Sequence, residues 1–496
     1  MDGRSQPRSQ NILPLGVPLR RSVLGPVPRG SQTIRTKAKA KPMFSLSVGW
    51  HEERSLAAMR YAVRYFAYIN VLETRRTVNQ ALVARRGEFL SAPSVSRRSN
   101  ELGTENAFVV LAEVSDLLRA GKDITSFCIG QPDFHTPKNI QGAAIEAIHA
   151  GKHGYTPSAG IFELREAAAK YLSHTRGIQL DPDDVVVGAG AKPFIMYSIL
   201  ATTDHGAGDE VIYPNPGFPI YESQIRAMGA VPVPLHLRES RRFSFDPNEL
   251  ESKITPRTRL LILNSPQNPT GGIIPRHDMT AIGEVLRKHP QVWVFADEIY
   301  SQLCYDDHFV SLTHFEGMQE RTIICDGASK TWAMTGWRLG FAANQMLAPV
   351  FTRWVTNTES CASQVSQWAA VEALTGPQDE ARRMRDSFLE RRNLIVRLLS
   401  EVPGVTCQSP GGAFYVWPNI TEACSMIGAA DSEEFRRRLL NEAGVAVLAD
   451  IHFGSRVPNE GQHIRFSYAA SNEAIHKGVE RMADFIRKNT KLKKTA

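Results

Sequence analysis

The six cysteines, Cys128, Cys304, Cys325, Cys361, Cys407 and Cys424, never fall at CxxC spacing. That removes the common zinc and dithiol redox motifs from consideration. Most sit among apolar neighbours, as reduced core cysteines do, which fits a reducing compartment. The chain has no apolar run of about 18 residues, so no membrane span is expected. It also lacks an internal repeat and a secretory signal pattern. Acidic residues are nearly missing from one region: residues 1–50 contain Asp2 alone.

With 496 residues, 42% hydrophobic and 22% charged, the chain can build two cores. Its net charge of +7 comes from one end. Residues 1–100 hold 18 Lys and Arg against 5 Asp and Glu, whereas the remainder holds 40 against 46. The body is therefore mildly acidic and offers no nucleic-acid groove. Residues 1–96 read as a basic leader, disordered over about the first 50 by its Pro, Gly, Ser and Arg content. Apolar and aromatic residues gather around Arg60 and Arg64 between Ser55 and Leu72, as in an amphipathic helix. Three readings compete for this leader. It is an organellar targeting segment, a disordered extension, or the product of a start placed too far upstream of Met43 or Met59. A cytoplasmic location is expected, and a mitochondrial one if the leader targets.

Ordered sequence is expected from Arg97. Phe108, Leu111, Val114, Leu117 and Leu118 recur at helical spacing, with Gly121 as a stop. Ile124–Ile129 reads as a strand entering the loop GQPDFHTP, and GKHGYTPSAG, with Tyr155, joins two helices. Apolar strands then alternate with helices: Val185–Val187, Glu210–Tyr213, Arg259–Leu263, Val292–Ala296 and Thr322–Cys325. This pattern predicts an α/β fold with a mostly parallel sheet, whose ligands gather at the carboxyl ends of the strands. One long helical stretch is expected over Pro349–Leu374 and another over Asp379–Leu399. Strands at Gly412–Trp417, Val445–Leu448 and His463–Tyr468, mixed with helices, predict a smaller α+β domain. The expected division is 97–140 with 377–490 as the small domain and 141–376 as the large one.

The stretch TIICDGASKTWAMTGWRLGF, Thr322–Phe341, organises the chemistry. A lysine at the mouth of a buried strand, Lys330, is poorly solvated and nucleophilic, which suits a Schiff base. Gly327, Ala328 and Ser329 let backbone N–H groups approach an anion, and Arg338 supplies a planar fork for it. Lysine–aldehyde chemistry beside a phosphate seat points to pyridoxal 5′-phosphate. Asp297 ends an apolar strand and needs a cationic partner, a protonated pyridine nitrogen or, more plainly, a helix N-terminus. Tyr300 follows within reach of the same ring. Asn268 lies in the Pro- and Gly-rich turn NSPQNPTGG. Gly190, Ala191 and Lys192 open a helix after a strand, where free N–H groups favour a phosphate. Phe218 can stack on a planar ring or join the core. Arg465, within HIRFSY, needs an anion, either a substrate carboxylate or an interdomain acid.

Together IGQPDF, GYTPSAG, GAGAK, PNPGF, NSPQNPTG, ADEIY, GASKTWAMTGWRLG and IRFSY resemble the class I/II aminotransferases, pyridoxal-phosphate enzymes of fold type I. The resemblance covers about residues 97–488. It implies that Lys330 forms the Schiff base and shuttles the substrate proton. It implies that Asp297 pairs with the pyridine nitrogen, that Tyr300 and Asn268 hold O3′, and that Phe218 stacks on the ring. Gly190, Ala191, Lys192, Ser329 and Arg338 would seat the phosphate. Tyr155 would reach the phosphate of a neighbouring subunit, so a homodimer with shared sites is expected. Arg465, Gly130 and Asn268 would hold the substrate. The implied reaction moves an amino group from an L-amino acid to a 2-oxo acid such as 2-oxoglutarate. Near the substrate side chain, GTENAFVV offers Thr104, Asn106 and Phe108 but no Lys or Arg. Two alternatives stand beside transamination: a lyase on the same scaffold, and a transcriptional regulator with a DNA-binding head, for which the leader shows no helix-turn-helix pattern.

Overall fold

The computed structural model describes residues 94–103, 106–306 and 308–490. Residues 1–93 of the leader, with the Ser55–Leu72 stretch, Thr104, and residues 491–496 of the basic tail lie outside the described residues. The strands, in chain order, are β1 (Thr125–Ser126), β2 (Val185–Gly188), β3 (Glu210–Asn215), β4 (Val231–His236), β5 (Thr258–Asn264), β6 (Trp293–Asp297), β7 (Thr322–Gly327), β8 (Gly340–Ala343), β9 (Tyr415–Val416), β10 (Val445–Ala446), β11 (Leu448–Ala449) and β12 (Ile464–Ser467). Seven of them form one sheet in the order β2-β8-β7-β6-β5-β3-β4. Neighbours run parallel except at β8, which is antiparallel to both β2 and β7.

These strands read as continuous apolar runs because both faces are covered. Successive side chains alternate between faces. Val186, Leu260 and Ile262 pack with Phe194 and Ile199 of helix Lys192–Thr202 and with Phe351 and Val355 of helix Ala348–Thr358. On the other face, Val185, Val187 and Ile324 pack against helices Lys138–His149, Phe162–Arg176 and Gln364–Thr375. Leu261 and Leu263 meet helix Arg276–Arg287.

Two strands were not legible in the pattern. β4 reads VPVPLH, and its prolines argue against a strand. They are tolerated because β4 is the sheet edge and pairs only with β3. β8 is short and rich in small residues, and it enters the sheet between β2 and β7. The expected helix Pro349–Leu374 is two helices, Ala348–Thr358 and Gln364–Thr375. Ser360 between them has φ 65°, which ends the first helix, and Ser363 caps the second. Helix Asn106–Arg119 buries Ala107, Val110 and Val114, leaving Phe108 and Leu118 outside, so its inward face is turned from the one the spacing marked.

The remaining strands are small. β1 pairs parallel with β10, and β12 pairs antiparallel with β11 and β9. The expected strand Val445–Leu448 divides between these two sheets around Val447. Phe127, just after β1, packs on Phe466 with ring centroids 5.3 Å apart, within a core that also holds Phe388, Phe414 and Met482. Among the described residues, no helix is long and apolar enough to cross a membrane.

Candidate active site

The large sheet brings its chemistry to one edge. Asn264 is in register with Asp297, and Asp297 with Cys325. Gly327 and Gly188 both face Gly340. The carboxyl ends of β2, β5, β6 and β7 therefore meet the amino end of the antiparallel β8. A cavity of about 500 Å³ opens there. It is lined by Gly130, Ala191, Lys192, Phe218, Asn268 and Asp297, and further by Tyr300, Ser329, Lys330, Arg338 and Arg465. Eleven of the sequence-derived site residues thus share one wall set, although they span more than 330 positions of the chain. Gly190 lies directly beneath Arg338, its φ of 101° placing it in the region that favours glycine. Tyr155 is elsewhere: it is 90% exposed and does not line this cavity.

Lys330 follows β7 on the short helix Ala328–Thr331 and points into the cavity, where Nζ donates to Gly130 O at 2.7 Å. Its ammonium lies 5.8 Å from the Tyr300 ring centroid and 5.7 Å from that of Phe414. Opposite stands Asp297. Asp297 is half-buried in the cavity wall, and the loss of water around it pushes the carboxyl up to about 6. The Tyr221 hydroxyl, donating to Oδ2 at 2.6 Å, works against that rise. Asn264 ties the neighbouring turn down: its Nδ2 donates to Asp297 O at 3.0 Å and its Oδ1 accepts from Asn268 N at 3.0 Å.

The substrate side of the cavity is held by Arg465 on β12. Its guanidinium is sandwiched between Tyr415 and Phe453, at 4.6 and 4.8 Å from their ring centroids. Nη1 donates to Asn268 Oδ1 at 2.8 Å and Nη2 to Cys128 O. Arg465 is 3% exposed, its Nε has no hydrogen-bond partner, and no carboxylate pairs with it among the described residues. A buried guanidinium left this way is poised for an incoming anion.

At the other end Gly190 and Ala191 precede helix Lys192–Thr202. A Cβ on Gly340 would strike the backbone of Gly190 and Ala191, so this glycine lets the loop lie flat on β8. Arg338 donates to Thr335 O at 2.8 Å and to Ala189 O at 3.3 Å. Two cations, Lys192 and Arg338, beside a helix N-terminus make an anion seat. Phe218 stands between the two ends, with Lys192 Nζ 5.2 Å from its ring centroid.

The sequence reading missed Tyr221, Asn264 and Tyr415. Tyr221 lies one helical turn beyond Phe218 in PNPGFPIY, a spacing that places both on one face. Tyr415 donates or accepts at 2.8 Å with Tyr300, and its hydroxyl occupies the space a Cβ on Gly130 would need. Nothing in GGAFYV announces that role. A second cavity, of about 520 Å³, lies between Arg241–Asp278 and Gln408–Gly411. It holds none of the residues above, and chemistry rather than size selects the first.

These groups fit pyridoxal phosphate: an anion seat, an aromatic wall, a half-buried carboxylate for a ring cation and a lysine within the same 500 Å³. Comparison with known proteins agrees. The family model described as aminotransferase class I and II matches residues 122–482. The chain is 39% identical over 385 residues to an aspartate/prephenate aminotransferase of Cereibacter sphaeroides, covering 76% of this chain and 94% of that protein. It is 36% identical to an aspartate aminotransferase of Geobacillus stearothermophilus, covering 79% and 98%. Among solved structures it superposes on the aspartate aminotransferase of Rhizobium meliloti with a TM-score of 0.76 at 32% identity, covering 81% of this chain and all of that one. An aromatic aminotransferase of Pyrococcus horikoshii matches with a TM-score of 0.69 at 35% identity, covering 76% and 99%. The chain belongs to the class I and II aminotransferases, the pyridoxal-phosphate-dependent enzymes of fold type I.

Proposed function

We propose that this aminotransferase takes the amino group of an L-amino acid, with aspartate the first donor to test, and gives it to a 2-oxo acid, 2-oxoglutarate, with Lys330 as the reacting amine. The observation that carries the reading is Arg465, a buried guanidinium with an unpartnered Nε and no carboxylate, facing the same cavity as Lys330. Aspartate comes first because relatives at 33–39% identity are named for it.

Pyridoxal phosphate, when bound, supplies the electron sink that stabilises charge at the substrate Cα. The chain's residues do the rest. Lys330 Nζ would hold the cofactor's aldehyde carbon and, once freed by the substrate amine, would take and return the proton at Cα. Asp297 holds the ring nitrogen protonated. Tyr300 and Asn268 would hold the ring hydroxyl, and Phe218 would supply an apolar surface for the ring. Gly190, Ala191, Lys192, Ser329 and Arg338 hold the phosphate. Arg465, with Asn268 and the backbone at Gly130, fixes the α-carboxylate and so aims the Cα–H bond at Lys330. The cavity wall also carries Ala107, Phe108, Ile129 and Ile195, which makes neutral and aromatic amino acids the donors to compare with aspartate.

Tyr155, so exposed in a single chain, reaches the phosphate of a second subunit in a homodimer with shared sites. Residues 97–140 and 377–490 act as a smaller domain beside 141–376. The enzyme works in the cytoplasm.

The test is spectroscopic. Purified protein is mixed with single amino acids and no acceptor, and the visible cofactor band is followed. The reading expects aspartate to shift the band and 2-oxoglutarate to restore it. It expects Lys330→Ala to lose both the band and turnover. A band that no amino acid shifts, or pyruvate and ammonia released without an acceptor, would instead favour a lyase. Retained turnover in Lys330→Ala would remove the site assignment.

A further inference from the structure

Three charged side chains are buried directly behind the catalytic cavity. Arg176, the last residue of helix Phe162–Arg176, is fully buried, with Glu298 at 4% and Asp326 at 1% exposure. Arg176 Nε donates to Glu298 Oε2 at 2.9 Å. Its Nη2 donates to Asp326 Oδ2 at 2.6 Å and to Ser301 Oγ at 3.0 Å. The outer carboxylate oxygens are satisfied as well. Glu298 Oε1 accepts from Ser311 Oγ at 2.6 Å, and Asp326 Oδ1 from Gly327 N at 2.7 Å. The guanidinium is flanked by Tyr171 and Phe309, 5.4 and 5.2 Å from their ring centroids.

Two features set this cluster apart from a stability device. A buried ion pair rarely stabilises a fold better than apolar residues of equal volume. Here two carboxylates meet one guanidinium, which leaves a net negative charge in the interior. Its position is the second feature. Glu298 is the residue after Asp297, and Asp326 is four residues before Lys330. Arg176 therefore bridges the ends of β6 and β7, the two strands that deliver Asp297 and Lys330, while touching neither of those residues.

We propose that Arg176, Glu298 and Asp326 form a positioning element of the transamination site: the guanidinium locks the ends of β6 and β7 so that Asp297 and Lys330 keep one mutual geometry, and the net negative charge favours a cation on the cavity side of Asp297. The inference rests on the roles proposed above for Asp297 and Lys330. The groups facing Asp297 are Tyr221 from helix Ile220–Ala227, Tyr300 after β6, Cys325 and Asp326 from β7, and Lys330. Asp326 in turn faces Arg176, Glu298, Ser301 and Tyr171. Within this set Asp326 is the anion that acts on Asp297, and Arg176 is the cation that offsets it.

Removing one negative charge lowers the pKa of every group around it. In Asp326→Asn, the pH profile of cofactor affinity therefore moves to lower pH on both limbs, by roughly half to one unit, and the profile of kcat/KM moves with it. Glu298→Gln moves both in the same direction and serves if Asp326→Asn folds poorly. Arg176→Lys keeps the charge but loses the two-acid fork. Its profile stays in place while kcat falls roughly tenfold, with KM for the amino acid little changed. Cofactor affinity is read by absorbance titration of apoprotein from pH 5 to 9, and thermal unfolding of the apoprotein is followed in parallel. If both acid variants lose thermal stability but keep the wild-type profiles, the cluster is structural only and the inference falls. If Lys330→Ala keeps its visible band and turnover, the underlying site assignment falls instead.

Discussion

The phenol of Tyr221 donates to Asp297 Oδ2 at 2.6 Å, from a helix that starts five residues beyond β3 to the end of a strand two places away in the sheet. Tyr221 is fully buried, and its own titration is driven far upward by burial and by the Asp297 charge. It therefore stays protonated and serves as a permanent donor. Tyr221→Phe removes a hydrogen bond to a charged group, worth about 1.5–3 kcal/mol. Cofactor affinity should fall by roughly ten- to a hundredfold. Absorbance titration of the apoprotein checks this, and an unchanged affinity would mean that Asp297 needs no such support.

Asp297 predicts a conflict between stability and function. Its carboxyl titrates at about 6 in the folded apoprotein against 3.8 ordinarily, because burial disfavours the charge. The folded state thus holds a proton that the unfolded chain gives up. Stability falls as pH rises from about 4 to about 6, and the full penalty applies above that. Asp297→Asn should make the apoprotein about 2–3 kcal/mol more stable than wild type at pH 8, with little difference at pH 3.5. The same variant should bind cofactor poorly. Urea unfolding at the two pH values is the measurement, and a less stable variant at pH 8 would contradict the argument.

Arg465→Lys keeps a positive charge but not the fork that grips a carboxylate with two parallel bonds. The KM for the amino acid should rise by about two orders of magnitude, with the cofactor band intact. Steady-state kinetics with an L-amino acid decides the matter. A KM within a factor of about three of wild type would assign Arg465 to domain packing instead.

Deleting residues 1–90 should leave cofactor binding unchanged, because the family match begins at residue 122 and the lining residues of the cavity begin at Ala107. A truncated protein that folds but fails to hold the cofactor would show that the leader contributes to the site.

Much of this site could be read from the chain alone, and the reason is local. Lys330, Asp297, Asn268 and the Gly190–Lys192 loop each sit at the end of an apolar strand, where a short turn displays side chain and backbone together. Such turns need particular residues, and those residues stay visible in sequence. Tyr415 and Tyr221 were not visible because an aromatic in an apolar segment looks the same whether it fills a core or supports a carboxylate. Likewise VPVPLH looked unlike a strand until its place at the sheet edge was known.

What the sequence determined by itself is the order of apolar strands and helices, hence a parallel sheet with its loops at one edge, and the residue types those loops carry. Side-chain period and turn chemistry act over a few residues, so they can be read one segment at a time. The pairing of distant segments belongs to the tertiary structure. That Arg176 meets Glu298 and Asp326, that Tyr221 meets Asp297, and that Arg465 stands beside Asn268 with its Nε unpartnered all depend on strand order and burial. A buried charge takes whichever partner the packed core brings within reach, and no local pattern encodes that choice.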